Sequence, residues 1–196
     1  MKKMFIVAAL GLAVMFSSCA KFPQVEVDAA TASVLEAKTT GADLYVPGVF
    51  QALTDSLNSA NQKVEVDKSK FFKTYKVSKA SLASVVTMSA DVKAKTEARK
   101  VELKAENDSL VAEVKVLVAD SKVLLVKAPK GKDGKAALSA IAVDISVVET
   151  TVTEVETLIA SGNLLDSNSK IKVAKDKVTT VKTELETAIA KASGKK

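Results

Sequence analysis

Few residues of this sequence have side chains that carry out chemistry. The chain has 196 residues, no His, no Trp and a single Cys, at position 19. Zinc, haem and iron–sulfur sites use several His or Cys ligands, and a Ser or Cys nucleophile needs a neighbouring base such as His. We therefore expect no metal, no cofactor, no catalytic residue and no enzyme activity. The remaining candidate for covalent chemistry is the thiol of Cys19.

Acidic side chains in the middle of the sequence are a second candidate, as paired catalytic carboxylates. They are Glu97, Glu102, Glu106 and Asp108, and they alternate with Lys95, Arg99, Lys100 and Lys104. Opposite charges at these spacings are typical of a solvated helix face. The sequence therefore predicts a solvated, charged helix face at these positions and not a catalytic site.

The glycines and lysines of residues 127–135 resemble a phosphate-binding loop only superficially. The run is Lys-Ala-Pro-Lys-Gly-Lys-Asp-Gly-Lys, which lacks the spacing GxxxxGK[ST], and no strand precedes it. We interpret this stretch as a basic turn between helices.

The N-terminus accounts for the cysteine. Lys2 and Lys3 precede an apolar run at 4–16 that is too short to span a bilayer, which is typical of a signal peptide over residues 1–18. Phe16-Ser17-Ser18-Cys19 resembles the bacterial lipobox, in a relaxed form with Phe16 in place of the usual Leu. This resemblance implies that Cys19 becomes the acylated first residue, with fatty acids such as palmitate. The alternative is an ordinary signal peptide and an unrelated Cys.

Charge gives little indication of a partner. Loss of residues 1–18 removes two lysines and lowers the formal net charge from +6 to +4, and Arg99 is the only arginine. Nucleic-acid surfaces use arginines and interleaved aromatic residues, so we expect no nucleic-acid binding. Weak attraction to anionic lipids or a solvated lysine-rich surface both fit this composition.

Helix-breaking residues are confined to a few places. No Gly or Pro occurs within 49–128, 135–161 or 163–193, which favours long helices. Apolar residues in the last two segments repeat at alternating spacings of three and four. The repeats are Leu138, Ile141, Ile145, Val148, Val152, Val155, Ile159 and Ile171, Ala174, Val178, Val181, Leu185, Ala188, Ala192.

These two repeats predict an antiparallel helical hairpin that turns at Gly162-Asn163. Asp133 is the expected N-cap of the first helix, and Asp166 or Ser167 that of the second. Earlier in the chain the same spacing predicts helices over Val25–Thr40 and Pro47–Glu65.

Residues 69–127 carry a weaker pattern. The apolar residues predict one very long helix, with a narrow seam of Ala90, Ala94, Ala98, Val101 and Ala105 across its polar middle. The Phe71, Phe72 and Tyr75 side chains are expected to pack in the core against the Pro47–Glu65 helix. The alternative for residues 113–127 is a β-hairpin, because valines alternate around Asp120-Ser121.

The predicted fold class is all-α: an elongated antiparallel helical bundle of long hairpins, with about five helices and one very long central helix. The expected organisation is a signal peptide (1–18), a short tether (19–24), one helical domain (25–193) and a basic tail (194–196). Because the tether is short, the domain is expected to lie close to its membrane.

Three segments carry a resemblance to a known family. They are Tyr45-Val46-Pro47 leading into Phe50-x-x-Leu53, the basic stretch 127–135, and the turn 158–163 followed by a Lys/Ala/Val helix. Together they resemble uncharacterised helical lipoproteins of bacterial envelopes, a domain-of-unknown-function family with tetratricopeptide-like hairpins. The resemblance implies helices and an envelope location, and no chemistry.

Two classes of function follow from this interpretation. The first is a lipid-anchored structural, scaffolding or protein-interaction module, and the second is a ligand-binding lipoprotein with a cleft between hairpins. Ala20 after the cysteine favours sorting to the outer membrane, facing the periplasm. The expected partners are the membrane, through acylated Cys19, and envelope proteins or peptidoglycan. Lys196 ends the chain as in small murein lipoproteins, so a spacer attached to the cell wall is a further possibility.

Overall fold

The computed structural model describes residues 21–130 and 134–194. Within these ranges lie α1 (Gln24–Thr39), α2 (Ala42–Tyr45), α3 (Pro47–Ser69), α4 (Lys76–Lys127), α5 (Gly134–Ala160) and α6 (Leu164–Ser193). These same ranges contain no β-strand. The predicted all-α fold is confirmed, with five long helices and one additional short helix, α2, in the part of the chain described.

Helix α4 is the very long helix expected from the sequence. It has 52 residues, about 78 Å at 1.5 Å per residue, and it includes residues 113–127 without interruption. The β-hairpin alternative for this segment is therefore wrong. The helix begins at Lys76 and not near Ser69, because α3 extends to Ser69 and a loop separates the two helices.

Residue contacts divide the chain into two compact units, between Arg99 and Lys100. This division is not predicted by the sequence. The core of the first unit comes from α1, α2, α3 and the first part of α4. It consists of Ala30, Val34, Ala37, Ala42, Leu53, Ala60, Val64, Tyr75, Leu82, Val85 and Val92.

The second unit contains the predicted hairpin of α5 and α6, packed with the last part of α4. The hairpin contributes to its apolar core Ile145, Val148, Val152, Val155, Ile171, Ala174, Val178, Val181 and Leu185. The apolar repeats thus identify the packed faces of both helices. They weaken at their ends, where Leu138 and Ile159 are half-buried and Ala192 is exposed.

Glycine forms the turn of this hairpin. Gly162 has a positive φ of 80°, a conformation that side chains with a Cβ rarely adopt. Its N–H donates to Ile159 O at 3.1 Å and the N–H of Asn163 donates to Leu158 O at 2.9 Å. These two bonds satisfy carbonyls at the end of α5 in the arrangement of a Schellman motif.

The predicted N-caps of the hairpin have different outcomes. Asp133 lies outside the described residues. Helix α6 begins at Leu164, so Asn163 occupies the N-cap position and the prediction of Asp166 or Ser167 is wrong. Asp166 lies in the first turn, where its carboxylate accepts a 2.7 Å hydrogen bond from Asn163 Nδ2.

Polar residues take buried positions along α4. Ser78, Ser89, Thr96, Asn107 and Ser121 are all fully buried. The predicted alanine seam is wrong, because Ala90, Ala94, Ala98, Val101 and Ala105 are exposed. The buried residues of α4 lie on one helix face, but several of them carry hydroxyl or amide groups. The apolar residues of this stretch therefore indicate a different face of the helix.

Candidate functional site

Both modification sites predicted from the sequence, Cys19 and Lys196, lie outside the described residues. Their acylation and wall attachment stay predictions. The structure does describe the residues that follow Cys19 from Lys21 onward, and it describes helix α6 up to Ser193 with Gly194 at its C-cap.

The chain that follows Cys19 packs on the first unit within a few residues. Pro23 is buried and α1 begins at Gln24, inside the segment 19–24 that the sequence assigns to a tether. The ring of Phe22 contacts Tyr75 edge-on, with centroids 5.9 Å apart and an angle of 77°. Lys68 Nζ lies 5.5 Å from the centroid of the Phe22 ring, within reach of a cation–π interaction. The chain at Phe22 is therefore held against the loop between α3 and α4, residues 70–75.

The α3–α4 loop, residues 70–75, presents two phenylalanines to solvent. Phe71 is 91% exposed and Phe72 is 77% exposed, whereas Tyr75 is buried. The two phenylalanine rings contact each other in a T-shaped arrangement with centroids 5.0 Å apart. The predicted core packing is therefore correct for Tyr75 and wrong for Phe71 and Phe72, because α3 ends at Ser69 and helical spacing no longer applies after it.

A buried carboxylate holds the two ends of this loop together. Asp67, in the last turn of α3, accepts a hydrogen bond from the hydroxyl of Ser78 in the first turn of α4. Its other oxygen lies 2.7 Å from Lys70 Nζ. The hydrogen bonds from Lys70 and then Ser78 hold the pKa of Asp67 below its ordinary value of 3.8.

Lysines surround the exposed phenylalanines. Residues 65–76 contain four lysines, Lys68, Lys70, Lys73 and Lys76, against two carboxylates. All four lysines are exposed. Two of them pair with those carboxylates, Lys68 with Glu65 at 3.3 Å and Lys70 with Asp67 at 2.7 Å. The loop region therefore combines exposed aromatic surface with an excess of positive charge.

The same end of the first unit exposes further apolar side chains. Val25 in the first turn of α1, Val66 in the last turn of α3 and Val77 in the first turn of α4 are 79%, 56% and 66% exposed. Single exposed valines are common on protein surfaces, but here they accompany two adjacent phenylalanines.

The basic stretch 127–135 lies between two helices. Lys127 is the last residue of α4 and Gly134 is the first of α5, while residues 131–133 lie outside the described residues. The element before the stretch is thus a helix, whereas a phosphate loop follows a strand.

Two of the four acidic residues considered as catalytic carboxylates form ion pairs in the structure. Glu106 lies 2.8 Å from Lys172 Nζ, and Asp108 lies 2.6 Å from Lys104 Nζ. Glu97 and Glu102 also lie on α4. No cluster of three metal-ligating His, Cys, Asp or Glu side chains occurs within 21–130 and 134–194.

Ion pairs flank the packed seam of the second unit. Among the described residues, seven lysine–carboxylate pairs join different helices of this unit at 2.6 to 2.8 Å. They are Lys115–Glu156, Lys122–Glu149, Lys170–Glu154, Lys172–Glu106, Lys175–Glu113, Lys177–Asp144 and Lys182–Asp120. Partly exposed pairs of this kind contribute about 0–1 kcal/mol each and mainly select which helix faces meet.

This unit has a shallow, open groove between two of its helices. The groove between α4 and α5 has a volume of about 370 Å³, and Val118 and Val152 contribute to its lining. The Lys122–Glu149 pair crosses it, and its surface is as polar as it is apolar. Apolar ligand pockets are enclosed and have few polar groups, so this groove is a poor match to a ligand cleft.

Helix α5 is, among the described helices, the one long and apolar enough to cross a bilayer by length and composition. The most apolar 18-residue window of α5 has a mean hydropathy of 1.5. In this structure its Ile145, Val148, Val152 and Val155 are buried in the core of the second unit. Its Asp144 and Glu149 pair with lysines of neighbouring helices.

Comparisons with protein families, with curated proteins and with solved structures find no match to this chain.

Proposed function

We propose that this protein is a lipid-anchored protein of the bacterial envelope whose helical body acts as a structural or protein-interaction module. The contact between Phe22 and Tyr75 is the observation that carries the proposal. It fixes the described start of the chain on the first unit only three residues after Cys19. Three extended residues span at most about 11 Å, so an acyl chain on Cys19 would hold this end of the helical body at the bilayer surface.

The packing supports a structural or interaction role over ligand binding. The seams of both units combine small side chains such as Ala30 and Ala60 with larger aliphatic ones such as Leu53 and Leu185, all fully or nearly fully buried. Such seams bring helices close together and leave little internal volume. The outer surface instead carries many exposed charged side chains that an envelope partner could contact. Ala20 after Cys19 favours the outer membrane as the location.

Acylation is tested on Cys19→Ala and on the matched control Ser18→Ala, which keeps a small residue before the cleavage position. Cells grown with a clickable palmitate analogue should label the wild-type protein and Ser18→Ala and leave Cys19→Ala unlabelled. Mass spectrometry of the detergent-extracted protein should show an acylated N-terminal Cys19 with residues 1–18 removed.

Because Cys19 is the only cysteine, a thiol reagent gives an independent measurement on the same samples. An acylated protein should not react after denaturation. A free thiol in the mature protein, or membrane partition of Cys19→Ala equal to wild type, would contradict the proposal.

A further inference from the structure

We propose that the α3–α4 loop inserts Phe71 and Phe72 into the interface of the bilayer that holds the acyl chain. The inference rests on the proposed acylation of Cys19 and adds a second, non-covalent contact between this protein and the membrane. The loop would orient the first unit on the lipid surface, which an acyl chain at one residue does not do alone.

The exposure of the two phenylalanines is the first argument. Aromatic side chains provide large apolar areas that are normally buried in a core or an interface. Here the ring of Phe71 contacts that of Phe72, while 91% and 77% of their surfaces remain accessible. Adjacent exposed aromatic residues at the tip of a loop mark a surface that meets an apolar environment.

The position of the loop is the second argument. Phe22 packs on Tyr75, the last residue of the loop, and Lys68 Nζ lies over the Phe22 ring. The chain length from Phe22 limits the Cα of Cys19 to within about 11 Å of the Cα of Phe22. An acylated Cys19 therefore enters the bilayer beside the loop that exposes the two rings.

The fixed base of the loop is the third argument. The Ser78 hydroxyl and Lys70 ammonium hold the carboxylate of Asp67, so the end of α3 and the start of α4 are joined below the loop tip. Tyr75 is buried in the core of the first unit. The loop is thus held by Asp67 and Tyr75, which point inward while the two phenylalanines point outward.

The charge around the loop favours a lipid bilayer over a second copy of this chain as the surface that covers the two phenylalanines. Lys73 and Lys76 are exposed beside the phenylalanines, and Lys21 is exposed beside Phe22. Interfacial membrane segments combine apolar side chains with lysines that contact anionic headgroups. A second copy of this chain meeting the same surface would bring these lysines against each other.

The absence of tryptophan from the sequence makes a direct test possible. The acylated Phe71→Trp protein is reconstituted into vesicles of phosphatidylethanolamine and phosphatidylglycerol, with or without lipids brominated near the interface. Interfacial groups lie about 5–10 Å below the headgroups, so bromine at that depth should remove about half of the tryptophan emission or more. The emission should also shift to the blue on reconstitution.

Leu44→Trp is the matched control. Leu44 is apolar and 63% exposed. It lies on α2, after the end of α1, whereas Phe22 lies before the start of α1. Helix α1 has 16 residues and is therefore about 24 Å long, well beyond the reach of interfacial bromine. The Leu44→Trp emission should remain red-shifted and unquenched in the same vesicles.

The outcomes separate this inference from the proposed function. If the protein is acylated and Phe71→Trp resembles Leu44→Trp, the loop does not enter the bilayer and acylation stands. A second copy covers the loop if the tryptophan emission shifts further to the blue as the protein concentration rises and bromolipids do not quench it. If the mature protein carries no acyl group on Cys19, both proposals fail.

A lysine variant tests the charge argument. Lys73→Glu/Lys76→Glu in the Phe71→Trp protein should reduce quenching in vesicles that contain phosphatidylglycerol. Equal quenching before and after the reversal would show that the phenylalanines enter the bilayer without these lysines and would overturn the charge argument.

Discussion

The side-chain amide of Asn107 donates a hydrogen bond to the carbonyl oxygen of Leu164, with Nδ2 and O 2.9 Å apart. Leu164 is the first residue of α6, so this buried amide on α4 meets the start of the second hairpin helix. The same Nδ2 lies 2.7 Å from Ser167 Oγ, and Asn107 Oδ1 accepts a 2.7 Å hydrogen bond from Asn168 Nδ2. All the hydrogen-bond partners of this buried asparagine are available in one register of the packed helices. Such an asparagine disfavours the other registers.

Asn107→Ala should destabilise the protein by about 1–3 kcal/mol, because it leaves the Asn168 amide and the Ser167 hydroxyl with fewer partners in a buried place. Urea unfolding followed by circular dichroism measures the change. Asp108→Ala, at the next residue, removes an exposed ion pair with Lys104 and should change stability by less than about 0.5 kcal/mol. Equal losses in the two variants would show that the amide network does not contribute.

Ser121 is also buried on α4, but it lacks the hydrogen bonds that Asn107 makes. Its side chain is fully buried, and its hydroxyl finds no hydrogen-bond partner in the described parts of the chain. An unpaired buried hydroxyl costs about 1–3 kcal/mol, so Ser121→Ala should leave the melting temperature unchanged or raise it. Ser167→Ala is the control, because its hydroxyl contacts Leu164 O and Asn107 and its loss should lower the melting temperature. A lower melting temperature for Ser121→Ala would show that a water or another group satisfies the hydroxyl.

Apolar periodicity is the part of this fold that the sequence predicts well. Val148 and Val178 belong to unbroken repeats, and both are buried. Each repeat position contributes apolar area to one helix face, so the face can be read from residue type alone. The glycine at position 162 marks the end of α5 because its positive φ is unfavourable for other residues.

The sequence predicts less where polar residues are buried or where a helix ends without glycine or proline. Asn107 looks like a surface residue until its partners on α6 are known. Thr96 is buried as well, although its hydroxyl bonds within α4 to Val92 O. No Gly or Pro lies between Val49 and Ala128, so nothing local indicates that α3 ends at Ser69. The helical spacing therefore predicts a core position for Phe71, whereas in the structure Phe71 lies in the loop after α3 and is exposed. The two exposed phenylalanines follow from a helix end that residue type does not indicate.

A charged substitution tests which face of α5 is buried. Val148 is 1% exposed, so Val148→Asp places a carboxylate in the core of the second unit and should cost several kcal/mol, on the order of 3–5. Thr150 is exposed two residues further along, and Thr150→Asp should be nearly neutral. Thermal unfolding by circular dichroism compares the two variants. Equal melting temperatures would mean that the buried face of α5 is elsewhere.

The Asp67 carboxylate makes the base of the α3–α4 loop sensitive to acid. Because Lys70 and Ser78 lower its pKa in the folded protein, Asp67 contributes stability that is fully present above the unfolded value near 3.8. That contribution is lost as the pH falls through the lower, folded pKa. Glu26 and Glu36 act in the same direction, since hydrogen bonds from Lys79 and Lys93 lower their pKa values.

Asp67→Asn keeps the shape of the side chain and an acceptor oxygen but removes the charge that Lys70 and Ser78 stabilise. At pH 6 the variant should melt below wild type, and the difference should shrink as the pH falls below about 3.8, where the wild-type carboxylate also becomes neutral. Melting temperatures between pH 6 and pH 2 measure this. Asp55→Asn, on the exposed face of α3 beside Gln51, is the control and should melt close to wild type at pH 6. A difference between Asp67→Asn and wild type that stays constant down to pH 2 would show that shape, and not charge, explains the effect.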